Sequence, residues 1–304
     1  MRKFRIATRG SDLASAQTNL VISMMQQRNA DLEFEVITLK TTGDRVTDRP
    51  LFSFRGTGVF VKEIQNALLS GEADLAVHSL KDMPVQEHEK LIIAATPLRT
   101  NPHDLFITKD NSNLETIHSG AVVGTSSPRR MLQLKAFRKD LNFLDLRGNV
   151  NTRLKKLYEG KYDAIVLAAA GIERLGKKLN NTSLIPASVC LPAAGQGILA
   201  VECREDDSEA KQVAELINHK HTMVEALCER TFLHTVGGGC AMPVAALAKT
   251  ENSKIRIDGM IGDPNTGKVL RMSYDSSCSQ SDEAGKQLAQ MMVKACESRG
   301  IKLK

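Results

Sequence analysis

The sequence predicts an α/β fold of two lobes built on mixed sheets, followed by a small α+β third domain, and three observations lead there. At 304 residues with 42% apolar content, the chain is longer than one hydrophobic core usually fills. From its start to about residue 200 it alternates short apolar, β-branched runs with helical periodicities, the rhythm of strands joined by crossover helices. Towards its end the pattern changes to three closely spaced strands and a long helix.

In the first lobe, strand patterns at residues 4–8, 33–39, 74–78 and 91–95 alternate with helical patterns at 13–27 and 59–69. A second set repeats the architecture without repeating the sequence. Its strands fall at 104–107, 121–123, 142–146 and 162–168, and its helices at 128–137 and 150–158. A strand at 198–203 and a helix at 208–216 have the composition to return to the first lobe, as in two-lobed binding folds where the chain crosses over twice. Beyond Asn218, a helix at 223–233, a run of three glycines, strands at 242–248, 254–261 and 269–274 and a helix at 282–297 make the third domain. The expected division is 1–98 with 198–217 returning to it, 99–197, and 218–304.

Composition narrows the function classes. The longest apolar stretches are far shorter than the roughly 20 residues of a membrane-spanning helix. The first residues lead straight into a strand pattern with no signal-peptide core, which favours the cytoplasm. The six cysteines include no Cys-x-x-Cys pair, as expected of reduced thiols and not of a disulfide or zinc framework. The net charge of +6 invites a nucleic-acid partner, but aromatics are only 4% and no basic run matches a nucleic-acid motif. A small polyanion suits the same charge. The histidines lack metal spacing, although His78 ends a strand beside the candidate site. Gly56-Thr57-Gly58 lacks the ending of a phosphate-binding loop, and fits a mobile loop from Gly43 to Gly58 instead.

Ligands of open α/β sheets bind at the carboxyl ends of strands. There the sequence puts Arg9-Gly10-Ser11, Ser79-Leu80-Lys81-Asp82, Gly124-Thr125-Ser126-Ser127 and Arg147-Gly148-Asn149. Ser127-Pro128-Arg129-Arg130 reads as an N-cap, a proline in the first turn and two cations where the helix dipole disfavours cations. Either the pair is a solvated surface feature or an anion sits at this helix start. Arg153 flanks the same strand-to-helix turn as Arg147, and Arg174 lies just beyond the strand ending near Ala168. Guanidinium forks thus recur at strand ends, as suits a polycarboxylate or polyphosphate ligand. Asp82, an acid among cations, is a partner for an arginine or a group that stabilises positive charge on a substrate nitrogen. Cys240 follows Gly237-Gly238-Gly239 and is either an inert thiol or a nucleophile on a loop that can approach another domain.

The chain carries, in order, RIATRGSDLA (5–14), GVFVKEIQNALL (58–69), DLAVHSLKDMP (74–84), VGTSSPRR (123–130), LRGNVNTRL (146–154), LPAAGQG (191–197) and GGGCAMPV (237–244). With these segments it resembles the porphobilinogen deaminase family over nearly its whole length. The resemblance implies two lobes like those of periplasmic binding proteins, an active cleft between them, and a third domain presenting Cys240. That cysteine would hold a dipyrromethane cofactor through a thioether, and four porphobilinogen molecules would be added head to tail, each losing ammonia, before water releases hydroxymethylbilane.

By the same resemblance, Lys81, Asp82, Thr125, Ser127, Arg129, Arg130 and Arg153 hold the cofactor. Arg9, Ser11, Arg147, Arg153 and Arg174 receive porphobilinogen, whose acetate and propionate explain the arginines, and Asp82 is the catalytic group. A monomer with no nucleic-acid or membrane partner is implied. The family often carries a lysine where this chain has Thr57, so no loop lysine is assigned to substrate capture. Two rival readings remain: a two-lobed binder of anionic solutes without chemistry, and an RNA-binding protein driven by charge.

Overall fold

The structure, a computed structural model, describes residues 2–39, 61–86, 88–237 and 242–302. Cys240 and the segment from Gly43 to Gly58, Thr57 included, lie outside the described residues, as does the start of the helix expected from residue 59.

Along the chain run β1 (Lys3–Arg9), α1 (Asp12–Arg28), β2 (Glu33–Leu39), α2 (Lys62–Leu69), β3 (Leu75–Ser79), a 3-10 turn (Leu80–Asp82) and β4 (Leu91–Ala95). Next come β5 (Asp104–Thr108), β6 (Val122–Gly124), α3 (Pro128–Phe137), β7 (Asn142–Leu144), α4 (Val150–Tyr158), β8 (Ala164–Ala168), α5 (Ala169–Arg174) and β9 (Thr182–Ile185). β10 (Leu199–Arg204), α6 (Ser208–Glu215), α7 (Lys220–Val236), β11 (Val244–Glu251), β12 (Lys254–Gly262), β13 (Val269–Ser277), a second 3-10 turn (Cys278–Gln280) and α8 (Ser281–Ser298) complete it.

Two five-stranded sheets share one topology. The first has the order β2-β1-β3-β10-β4, with β1 parallel to β2 and β3, and β10 antiparallel to both its neighbours. The second has β7-β6-β8-β5-β9, again three parallel strands and then one antiparallel strand, β5. In the first sheet the reversed strand, β10, returns from a distant part of the sequence, whereas in the second the reversed strand, β5, opens the lobe's own segment. Both faces of both sheets are covered: Val21, Met25 and Val213 pack on one side of the first and Ile64, Ala67 and Leu68 on the other. Leu134 and Leu154 do the same for opposite sides of the second. The third sheet is an antiparallel meander, β11-β12-β13, with its core against Phe232 of α7 and Leu288 and Met292 of α8.

By contacts the chain divides into two compact units, Met1–Thr100 with Ile198–Met223, and Asn101–Gly197 with Val224–Lys304. Inside the second unit, Arg271 of β13 donates to the carbonyls of Ala187, Ser188 and Val189 and to Gln133 Oε1 of α3. The buried Glu229 accepts from Gly195 N at 2.6 Å and Ala248 N at 2.7 Å, tying the Leu191–Gly197 segment to the meander.

Four elements were not expected from the sequence, the Cys278–Gln280 turn among them. Both β9 and α5 are short, and α5 starts directly after β8 with no side-chain cap. The Leu80–Asp82 turn is a single 3-10 turn inside a run that reads as a loop. Strand β7 ends two residues early because Leu146 gives its N–H and C=O to the Ser126 hydroxyl, at 3.1 and 2.7 Å, and not to a neighbouring strand.

In the first unit, Asp74 accepts from Arg2 Nη2 at 2.5 Å, Arg5 Nη2 at 3.0 Å and Arg5 N at 2.9 Å. Burial pushes its pKa up, but these bonds outweigh it and hold it at about 2 against an ordinary 3.8. Between those values the unfolded chain binds a proton that the folded chain refuses, so the stabilisation is complete above about pH 4 and is lost as pH falls towards 2. Asp74→Asn is expected to lower stability at neutral pH and flatten this acid slope. Urea unfolding midpoints measured between pH 5 and pH 2 check it.

Candidate active site

The 3-10 turn after β3 is built by burial. Leu80 and Met83 are buried, Leu80 N donates to Ile198 O at 3.0 Å and Met83 N to Leu80 O at 3.1 Å. The residues between them are therefore turned outward, Lys81 half-buried and Asp82 exposed. Asp82 makes no hydrogen bond or ion pair among the described residues. Beside it, at the carboxyl end of the first sheet, Arg9, Ser11, Gln17, His78, Ser79 and Asp82 line one recess of about 50 Å³. Ser11 Oγ caps α1 by accepting from Ala14 N at 3.2 Å, and Gln17 donates to Ser79 Oγ at 2.9 Å, so the wall is fixed by its own bonds.

In the second unit, Thr125 is buried at the end of β6 and its hydroxyl accepts from Ser127 N at 3.2 Å. Ser127 caps α3 by accepting from Arg130 N. The two cations that follow are not solvated. Arg129 Nη2 lies 2.9 Å from Asp104 Oδ2 and Arg130 Nη2 lies 2.7 Å from Oδ1, with Asp104 wholly buried on β5. Arg129 also donates to Leu191 O at 2.7 Å and Arg130 to Val166 O at 3.0 Å. The anion called for at this helix start is thus supplied internally. Burial works against the Asp104 carboxylate, yet the charges of Arg129 and Arg130 hold its pKa far below the usual range. Cys190, packed beside this network, has its thiol pushed up to about 12 by burial and is inert.

Arg147 and Arg153 flank the turn into α4. Arg147 Nε bonds Asp145 at 2.7 Å and Arg153 Nε bonds Gly148 O at 2.7 Å. Gly148 has φ 109°, and a Cβ there would fall 2.6 Å from Thr152, so this turn needs glycine. Arg174 sits in the last turn of α5, the helix that begins directly after β8 ends at Ala168, and Nη2 donates to Gly197 O at 2.7 Å. Burial lowers its pKa to about 10, against the pull of Glu173. The structure therefore brings Arg9, Ser11 and Asp82 together in the first unit. In the second it groups Thr125, Ser127, Arg129 and Arg130 at one helix start and Arg147 and Arg153 at another. Among the described residues no group of His, Cys, Asp and Glu is placed to hold a metal ion, and no helix is long and apolar enough to cross a membrane.

Residues 4–212 match the family described as "Porphobilinogen deaminase, dipyromethane cofactor binding domain", and residues 223–294 match "Porphobilinogen deaminase, C-terminal domain". This chain belongs to the porphobilinogen deaminase family. Members similar to it include the porphobilinogen deaminase of Syntrophomonas wolfei, 41% identical over 98% of this chain and 100% of that one. That of Geobacillus sp. is 43% identical over 96% and 94%. Among solved structures, the VFT2 domain of Bordetella pertussis BvgS superposes with a TM-score of 0.42 at 16% identity over 71% of this chain and 86% of that one, too slight a likeness to carry function.

Sequence reading missed Asp104, Gln196 (whose Nε2 donates to Asp104 Oδ1), Glu202 (which lies 3.0 Å from His78 Nε2) and Glu229. Each is a polar residue in a strand, turn or helix whose partner lies far along the chain, and no local pattern signals that. Asp104 is a partial exception, since an acid opening an apolar strand calls for a buried counter-charge.

Proposed function

We propose that this chain condenses four porphobilinogen molecules head to tail, with loss of ammonia, on a dipyrromethane primer held by Cys240 through a thioether, and releases hydroxymethylbilane by hydrolysis. The observation that carries the reading is the recess in which Arg9 and Ser11, donors suited to carboxylates, stand beside the unengaged carboxylate of Asp82. A pure anion binder has no use for an acid there. An enzyme whose substrate develops positive charge on a ring nitrogen as ammonia departs does, and Asp82 is the group to stabilise it.

The donor set suits a cofactor bearing several carboxylates. Thr125 and Ser127 offer hydroxyls at the start of α3. Asp104 is the one carboxylate among the described residues that either Arg129 or Arg130 touches, so two buried guanidiniums face a single negative charge. Arg130 Nε is buried with no hydrogen-bond partner. Lys81, Asp82, Thr125, Ser127 and Arg153 would hold the cofactor directly, and Arg129 and Arg130 chiefly through their excess charge. When bound, the group supplies a pyrrole with a free α-carbon as nucleophile. Arg9, Ser11, Arg147, Arg153 and Arg174 would take the acetate and propionate of the incoming substrate. The reading treats the chain as a cytoplasmic monomer without a nucleic-acid partner, its three domains comprising 1–98 with 198–217, 99–197 and 218–304.

Intact mass under denaturing conditions tests it. The expected result is a covalent excess of two pyrrole units, absent from Cys240→Ser, with further single-unit steps after incubation with porphobilinogen. A bare chain mass before and after incubation would remove the anchored-primer mechanism and leave solute binding in its place.

A further inference from the structure

The same recess has a second acceptor group behind Asp82. His78 on β3 and Glu202 on β10 lie on one face of the sheet, since His78 pairs in register with Ala200 and Glu202 is two residues further along. Both side chains are buried. His78 Nε2 is 3.0 Å from Glu202 Oε2, and Gln65 of α2 donates to the other oxygen, Oε1, at 2.8 Å. When the ring is neutral, a carboxylate at Nε2 keeps the ring proton on that nitrogen and leaves the lone pair on Nδ1. His78 Nδ1 makes no hydrogen bond among the described residues, and His78 is one of the residues that line the recess with Asp82.

We propose that His78, oriented by Glu202 and Gln65, accepts a hydrogen bond from the ammonium group of the incoming substrate and is a specificity-determining residue for the aminomethyl arm. The inference rests on the deaminase reading and deepens it. Charge supports it. Arg9 and Ser11 suit a carboxylate, whereas Asp82 and His78 Nδ1 are acceptors, so the two sides match a ligand that is anionic at one end and cationic at the other.

Glutamine at position 78 keeps a donor for Glu202 but has nothing to accept with where Nδ1 stands. In His78→Gln the KM for porphobilinogen, measured on the full chain carrying its cofactor, is expected to rise about tenfold, the loss of one hydrogen bond to a charged group. Affinity for the same pyrrole diacid lacking the aminomethyl arm, read by calorimetry, should stay within about twofold. His78→Asn, which restores an acceptor near Nδ1, should recover part of the discrimination. Equal weakening of both ligands would reduce His78 to a packing role, and no change in either would remove it from the site. If the unmutated chain neither turns over porphobilinogen nor binds the armless diacid, the deaminase reading fails instead.

Discussion

Asp82→Asn is expected to reduce turnover by about 10²- to 10³-fold, the usual loss when a preorganised charge-stabilising group is removed, while leaving the fold unchanged. The substitution keeps the size and shape of the side chain and deletes only its charge. Asp82 is exposed and engages no other described residue, so no buried partner is stranded. Substitutions at such positions usually fall within about 0.5 kcal/mol. The turn itself is held by Leu80 and Met83 and by the bond from Leu80 N to Ile198 O, none of which uses the carboxylate. Steady-state turnover and a urea unfolding curve on the same sample check both halves. Equal activity in the two proteins would leave Asp82 without a catalytic role, and a shifted unfolding midpoint would make its effect structural.

Much of this site was legible because strand ends can be read locally. The run Leu-Ala-Val-His-Ser is apolar enough to be a strand, so the residues after it had to be at the ligand-bearing edge, and Lys81 and Asp82 are there. The same holds for Ser127, whose capping role comes from an oxygen placed one residue before a helical pattern, while the cap at Ser11 emerged only in the structure. The pair Arg129-Arg130 shows the limit. Two cations in a first turn suggested a bound anion, and the structure pairs them instead with Asp104 on another strand, which sequence cannot foresee because the pairing of β5 with β8 is a long-range event. His78 failed for the same reason: its partner Glu202 is 124 positions away, and without it the histidine has no meaning. Of the two sheets, the parallel strands were readable from their rhythm. The return of β10 to the first lobe was suggested by composition alone, and its place between β3 and β4 and its reversed direction are matters of chain geometry.

Asp104→Ala carries the largest expected effect on stability, about 3–5 kcal/mol, the usual loss when one partner of a buried ion pair is removed. The chemistry matches that of Asp82, a carboxylate among cations, and the outcome is opposite because of burial. Asp104 is wholly buried and binds Arg129, Arg130 and Gln196 Nε2, the last at 2.8 Å. Without it, two guanidiniums buried to more than nine-tenths keep only the Leu191 and Val166 carbonyls and the Cys190 sulfur as acceptors among the described residues. Asp104→Asn should fall between wild type and alanine, since it keeps a carbonyl acceptor and loses the charge. Urea unfolding of the three proteins at neutral pH, with the slope of each curve compared, gives the order. A loss below about 1 kcal/mol for the alanine variant would mean that another anion reaches Arg129 and Arg130. Such an anion is what a carboxylate-rich cofactor would provide, so the alanine variant should be more stable when loaded than with Cys240→Ser added.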